Sequence, residues 1–314
     1  MADIIIGSSA SIVATVVVHP IDVAKVLIQM QGELKRRGQY MVYYRSVPHA
    51  VIQVAKYDGI RAVYRGIIPA TFYQLTSQGL RLGLFQTIEE RGLTLDEDME
   101  ASVPLSALSG AFCGAVSSFV ASPLFMVKNY MMIRSSSEIA VGHQRNYSSM
   151  LHALKDIYST HRLRTGLWRG TVSNMLRTAV GSSLQLSTFV GMKNVLFMSV
   201  DYNERFMLIN TLLAALVSSL ITSPIVASLD LIRARIYIQP LKENGRGQYY
   251  KGIWDCAKQI RANEGFAGFW KGSTGAFMYV LLTSMITLVS WDELKHVRHE
   301  RLNSRDYVID FGYQ

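Results

Sequence analysis

The sequence predicts an all-α membrane protein of six transmembrane helices in three tandem repeats, each repeat carrying a short helix in its long connection. Three observations support this. A pattern of proline, acid and base recurs three times, one third of the chain apart. Six apolar segments of about 20 residues or more, enough to cross roughly 30 Å of hydrocarbon, alternate with polar connections. Those connections are alternately basic and acidic, as on the two faces of a membrane. The repeats occupy 1–98, 99–202 and 203–298, followed by a C-terminal tail, 299–314.

The recurring pattern is Pro20-x-Asp22-x-x-Lys25, then Pro123-x-Phe125-x-x-Lys128, then Ser228-x-Asp230-x-x-Arg233. A proline inside an apolar helix removes a backbone donor and bends the helix. An acid and a base three residues apart share one helix face and can pair with a neighbouring helix. A second anchor, Asp58-Gly59 followed by Tyr64-Arg65-Gly66, returns as Trp168-Arg169-Gly170 and as Glu264-Gly265 followed by Trp270-Lys271-Gly272. A third, Phe85-x-x-Ile88-Glu89, returns as Phe189-x-x-Met192-Lys193 and Trp291-Asp292-x-x-Lys295.

Hydrophobic patterning places the long helices at about 4–31, 69–90, 103–134, 171–195, 206–237 and 273–297. The short helices, too polar to span, fall near 46–57, 149–158 and 252–263. None of the six spans is free of polar residues, so hydropathy alone is a weak argument for them. Charge is the stronger one. The connection from 33 to 61 holds Lys35, Arg36, Arg37, Arg45, Lys56 and Arg61, whereas the short connections carry Asp96, Glu97, Asp98 and Glu100, or Asp201 and Glu204. By the positive-inside rule the long connections face the cytoplasm-like compartment, and an even number of spans puts both termini opposite.

With 49% hydrophobic and 18% charged residues, composition leaves open a large soluble domain or a polytopic membrane protein. The net charge of +9 admits nucleic acid, anionic lipid or an anionic solute as partner. Lys35-Arg36-Arg37 lacks the interleaved aromatics of a single-strand binder and reads as a topogenic loop, so no nucleic acid is expected. Cys113 and Cys256 show no metal spacing. No nucleophile, acid–base pair or metal set is present in the pattern of an enzyme, and no metal or catalytic cofactor is expected.

The three motifs, in this order, number and spacing, resemble the mitochondrial carrier family, and the likeness spans nearly the whole chain. Within the family the chain is most similar to the oxaloacetate and dicarboxylate carriers, a likeness carried by the segments 135–144 and 181–186. The resemblance implies a pseudo-threefold six-helix barrel with short matrix-side helices in the mitochondrial inner membrane. It further implies a monomer that exchanges small anions by alternating access, with both termini in the intermembrane space. Pro20, Pro123 and Ser228 take the hinge positions, although Ser228 stands where a proline belongs and Pro224 lies a turn earlier. Asp22, Lys25, Lys128, Asp230 and Arg233 take the matrix gate, where Phe125 replaces an acid. The expected bridges are Asp22 to Lys128 and Asp230 to Lys25, with Arg233 left facing Phe125; on this wiring Phe125→Asp adds a bridge. The cytoplasmic gate falls on Asp292, Lys295, Lys193 and Glu89 and is eroded, since Gln86 and Val190 replace acids and Glu89 replaces a base.

An anion crossing a membrane needs fixed positive charge at mid-depth. Arg177 and Thr178 take the family's second substrate-contact position, Tyr73-Gln74 and Tyr279-Val280 the symmetry-related ones, and Arg81 lies just over two turns beyond Tyr73. Arginine forks match carboxylate geometry. The plainer reading of either arginine is snorkelling or pairing with helix carbonyls. Arg65-Gly66, Arg169-Gly170 and Lys271-Gly272 precede helix starts, where free amides favour phosphate; the family reading is bound cardiolipin, the plainer one an interfacial anchor. Two other functions remain open: a degenerate carrier serving as a membrane adaptor, and a carrier of a different anionic or amino-acid solute.

Overall fold

The computed structural model describes residues 2–33, 40–94, 102–197, 204–242, 247–287 and 289–290. Within them the chain is helical, with one isolated β-bridge between Leu241 and Gly247. Repeat one holds α1 (Ala2–Met30), α2 (Val47–Asp58) and α3 (Ile67–Glu90). Repeat two holds α4 (Val103–Met132), α5 (Met150–Arg162) and α6 (Thr171–Phe197). Repeat three holds α7 (Glu204–Ile238), α8 (Ile253–Glu264) and α9, residues 273–287. Both ends of α3, α4 and α6 fall within a few residues of the expected bounds, and capping serines mark the short helices: Ser46 and Ser149 accept from the backbone N–H groups of His49 and His152 at the starts of α2 and α5.

The long helices pack in chain order, α1 on α3, α3 on α4, α4 on α6 and α6 on α7. The ring closes where Gly272 and Gly275 bring the start of α9 against Gln29 and Lys25 of α1. Large apolar side chains such as Val17, Phe72, Phe112, Phe119, Leu220 and Ile225 point outward and are exposed, which suits lipid and not water. By length and hydropathy only three described helical stretches qualify as spans, Ser9–Met30, Pro104–Met132 and Leu216–Ile238. Counted as spans in chain order, the even helices are α3, α6 and α9, and α3 and α6 are long enough, at 24 and 27 residues. Their hydropathy is lowered by a polar stripe that faces the interior of the ring.

The glycines at 66, 170 and 272 explain why each even helix starts where it does. All three have left-handed φ, at 76°, 77° and 77°. A Cβ there would meet the next repeat: Lys128 O at 3.1 Å from Gly66, Tyr237 Cδ2 at 3.0 Å from Gly170 and Gln29 Cγ at 3.1 Å from Gly272. The preceding basic residues are likewise turned inward. Arg65 donates to Asp58 at 2.6 Å and to Arg134 O, and Arg169 donates to Tyr130 Oη at 2.8 Å and Gln239 O at 3.1 Å. Lys271 is ion-paired with Glu264. The aromatic-base-glycine motif thus staples each repeat to the next. The basic side chains at these helix starts all have protein partners, each lying opposite the carbonyls or carboxylate at a helix end.

Repeat two departs from the other two. Where Asp58-Gly59 and Glu264-Gly265 end the short helices in repeats one and three, it has Arg162-Leu163. Arg162 consequently takes a positive φ of 59°, the one non-glycine to do so among the described residues.

A buried ionic cluster joins repeats three and one on the side of the short helices. Arg235 Nη1 lies 2.5 Å from Glu264 Oε1, and Glu33 sits beside Arg235 and Tyr250 with its Oε1 buried and unbonded. Burial pushes the Glu33 carboxyl up to about 7 against the pull of Arg235. The folded state therefore binds more protons than the unfolded one between about 4.5 and 7, and stability falls as pH rises through that window. Glu33→Gln is expected to raise the melting temperature at pH 8 and to leave it unchanged at pH 5. A variant that melts with the parent at pH 8 would remove the ionised form from this account.

Candidate functional site

The interior of the ring holds a cavity of about 410 Å³. Its wall is made by polar residues at helical spacing: on α3 Tyr73, Gln74, Ser77, Gln78 and Arg81, on α6 Arg177, Thr178 and Gln185, and on α9 Tyr279, Val280 and Thr283. Intervals of three and four residues keep each set on one helix face. Every residue expected at a substrate contact, Arg81, Arg177, Thr178, Tyr73, Gln74 and Tyr279, lines this one cavity. So do five cations, Lys25, Arg81, Lys128, Arg177 and Arg233, against two acids, Asp22 and Asp230. Few neutral solutes need such an excess of positive charge.

At one end of the cavity α1, α4 and α7 converge on an ion-pair network. Lys128 Nζ lies 2.5 Å from Asp22 Oδ2 and joins repeats one and two. Lys25 Nζ lies 3.1 Å from Asp22 Oδ1 and 3.7 Å from Asp230 Oδ2, joining repeats one and three. Arg233 reaches its own motif's Asp230 at 2.7 Å and Asn174 Oδ1 at 2.9 Å. Its guanidinium stacks 4.1 Å from the ring centre of Phe125. Phe125 is buried between Tyr73 and Tyr237, with ring centres at 5.2 and 5.0 Å, so an aromatic slot occupies the space of the absent carboxylate. Tyr279 and Tyr73 cover the lysines from above, with Lys25 at 4.6 Å and Lys128 at 5.5 Å from their ring centres. Beyond the network a buried apolar core, including Leu27, Met30, Met126, Tyr130, Tyr237 and Ile238, seals this end.

The prolines at 20, 123 and 224 all lie inside their helices. Ser228, at the third hinge position, donates its hydroxyl to Ile225 O at 2.8 Å, the back-bonding that bends a helix without a proline. His19, beside Pro20, bonds Arg65 O at 2.9 Å and lies off the cavity wall.

The two cavity arginines differ sharply. Arg81 Nη1 donates to Ser182 Oγ at 3.3 Å, and among the described residues it has no ion pair. Ser182 is pinned in turn between α6 and α4, where a Cβ on Gly114 would meet its Oγ at 2.8 Å. Arg177 is already engaged, Nε donating to Asp230 Oδ1 at 2.6 Å and Nη2 to Oδ2 at 3.5 Å. Gly181, one turn on, leaves its guanidinium room: a Cβ there would lie 3.6 Å from Arg177 Nη1. Among the described residues the partners of these two arginines are side chains, a serine for Arg81 and a carboxylate for Arg177.

Asn174 and the Arg177 to Asp230 pair escape the motif reading. Asn174 is fully buried, donates to Ser118 O at 3.2 Å and fixes Arg233. The one signal for it is its place a turn before Arg177 on the polar stripe. At the opposite end, Glu89 is exposed and Gln86 donates to Glu90 at 2.8 Å. Asp292, Lys295 and the side chain of Lys193 lie outside the described residues, as does the tail.

Comparison with known proteins accords with this geometry. The family model described as mitochondrial carrier protein matches residues 1–94, 100–200 and 204–302. The chain is 35% identical over 293 residues to mouse "Solute carrier family 25 member 35", covering 93% of this chain and 97% of that one. It is 30% identical over 287 residues to the "Mitochondrial citrate transporter E" of Aspergillus niger, covering 90% and 89%. To the "Mitochondrial 2-oxoglutarate/malate carrier protein" of Caenorhabditis elegans it is 28% identical over 300 residues, covering 96% and 94%. Three matched repeats over almost the whole length, on a ring of six long helices around a cationic cavity, establish that the chain belongs to the mitochondrial carrier family.

Proposed function

We propose that the protein is an inner-membrane antiporter of dicarboxylates, keto acids or related small anions such as oxaloacetate, malonate or sulfate. The observation that carries this is Arg81, a cation in the cavity wall bonded to a serine and to no acid. An unpaired charge in a membrane interior is costly unless a ligand completes it. Relatives named for citrate and for 2-oxoglutarate and malate support a carboxylate solute. Tyr73, Gln74, Thr178 and Tyr279 shape the site.

In this reading Asp22, Lys25, Lys128, Asp230 and Arg233 close the matrix side, and the chain is caught open to the cytoplasm. Pro20, Pro123 and Ser228 are the points about which α1, α4 and α7 bend. Glu89, Lys193, Asp292 and Lys295 form a weak cytoplasmic gate. Cardiolipin phosphate is held at the glycine starts of α3, α6 and α9 by backbone amides, with Arg65, Arg169 and Lys271 bracing those starts. The protein works as a monomer with both termini in the intermembrane space.

The test is uptake by proteoliposomes loaded in turn with dicarboxylates, keto acids, sulfate, neutral amino acids or nucleotides. Dicarboxylates or keto acids inside are expected to drive uptake of labelled dicarboxylate. Uptake driven by neutral amino acids or nucleotides alone would assign a different solute, and none at all would favour the membrane adaptor.

A further inference from the structure

Closing a threefold gate takes three ties between repeats, and the motif residues supply two. Asp22 to Lys128 joins repeats one and two, and Asp230 to Lys25 joins three and one. The tie between repeats two and three is missing at its usual place because Phe125 has no carboxylate. Arg177 on α6 and Asp230 on α7 join those same two repeats, at 2.6 Å. Asp230 thus carries three cations, Arg177 and Arg233 both on Oδ1 and Lys25 farther off at 3.7 Å.

We infer that the Arg177 to Asp230 bridge is the third bridge of the matrix gate, moved from the gate motif to a cavity arginine, so that the solute itself unties repeats two and three. This rests on the anion-exchange reading of the cavity and adds which anions move. Asp230 is a resident carboxylate in the site. A solute carboxylate that takes the Arg177 fork replaces it, ion pair for ion pair, and the ionic link from α6 to α7 is lost, leaving the hydrogen bond from Arg233 to Asn174. Arg81, whose partner among the described residues is Ser182, is the anchor for a first carboxylate.

Ser182 lies five residues beyond Arg177, about 7.5 Å along the helix. The two guanidinium groups, one at Asp230 and one at Ser182, therefore stand at different depths, and a solute needs two carboxylates to engage both. A monocarboxylate fills Arg81 and leaves Asp230 in place, so it binds without moving. Specificity then lies in release of the gate more than in affinity.

Two measurements test this. In the unaltered protein, a four-carbon monocarboxylate should inhibit uptake of labelled succinate from outside yet drive none when loaded inside, whereas internal succinate drives it. Equal counter-transport by the two overturns the inference. Second, Asp230→Asn removes the competing carboxylate and should tighten succinate binding at least tenfold, the scale of one charge-assisted hydrogen bond. Glu33→Gln removes an acid outside the cavity lining and should leave succinate affinity within about twofold of the parent. Equal affinities in the two variants overturn the inference while leaving dicarboxylate exchange intact. An unaltered protein that binds no dicarboxylate overturns the underlying reading as well. Should either variant fail to fold, the monocarboxylate measurement decides alone.

Discussion

Arg81→Ala is expected to weaken dicarboxylate binding by about 100- to 1,000-fold while leaving the unliganded protein at least as stable as the parent. The binding loss follows from truncating one partner of a desolvated charge pair, which costs about 2–5 kcal/mol. The stability follows from what Arg81 lacks. Among the described residues it bonds a neutral hydroxyl at 3.3 Å and no acid, so the alanine removes a desolvated cation and leaves no carboxylate orphaned. Arg177→Ala behaves differently, because it strands part of Asp230's compensation. Titration of succinate by calorimetry together with a melting curve in detergent checks both halves. An Arg81→Ala protein that binds succinate as the parent does would remove Arg81 from the site.

Phe125→Asp should destabilise the cytoplasm-open protein by about 2–4 kcal/mol, the reverse of what the motif alone leads one to expect. Reading the gate as charges on a wheel, an acid at 125 adds a bridge to Arg233. In the folded chain Phe125 is 4% exposed and packed between Tyr73, Tyr237 and the Arg233 guanidinium. Replacing a buried phenylalanine by a small residue costs about 3–5 kcal/mol. The new ion pair returns little, since burying a carboxylate consumes most of its Coulomb gain and Arg233 is already satisfied by Asp230 and Asn174. A rise in the melting temperature of Phe125→Asp would show that charge, not packing, decides this layer.

The repeat positions made the ring legible, because a proline and an ion pair inside an apolar helix have few explanations other than a hinge and a gate. The family resemblance pointed to Tyr73, Arg177 and Tyr279 as contact positions, and helical spacing from Tyr73 added Arg81 to the same face. What escaped were contacts between repeats outside the gate motif. Arg177 and Asp230 are 53 residues apart and belong to different motifs, so neither motif signals their pairing. The inward turn of Arg65, Arg169 and Lys271 was hidden for the same reason: an aromatic-base-glycine triplet looks alike whether the base faces lipid or the next repeat. Mean hydropathy alone does not mark α3 and α6 as spans, since a helix lining a charged cavity must be polar on one side.

The most direct test of an anion path through Arg81 and Arg177 is the initial rate at which labelled succinate enters liposomes loaded with unlabelled succinate, compared with empty ones. The parent protein should show fast entry into loaded vesicles and little into empty ones, and the Arg81→Ala, Arg177→Ala double variant should fall to protein-free background in both. Parent-like exchange by the double variant would contradict the account.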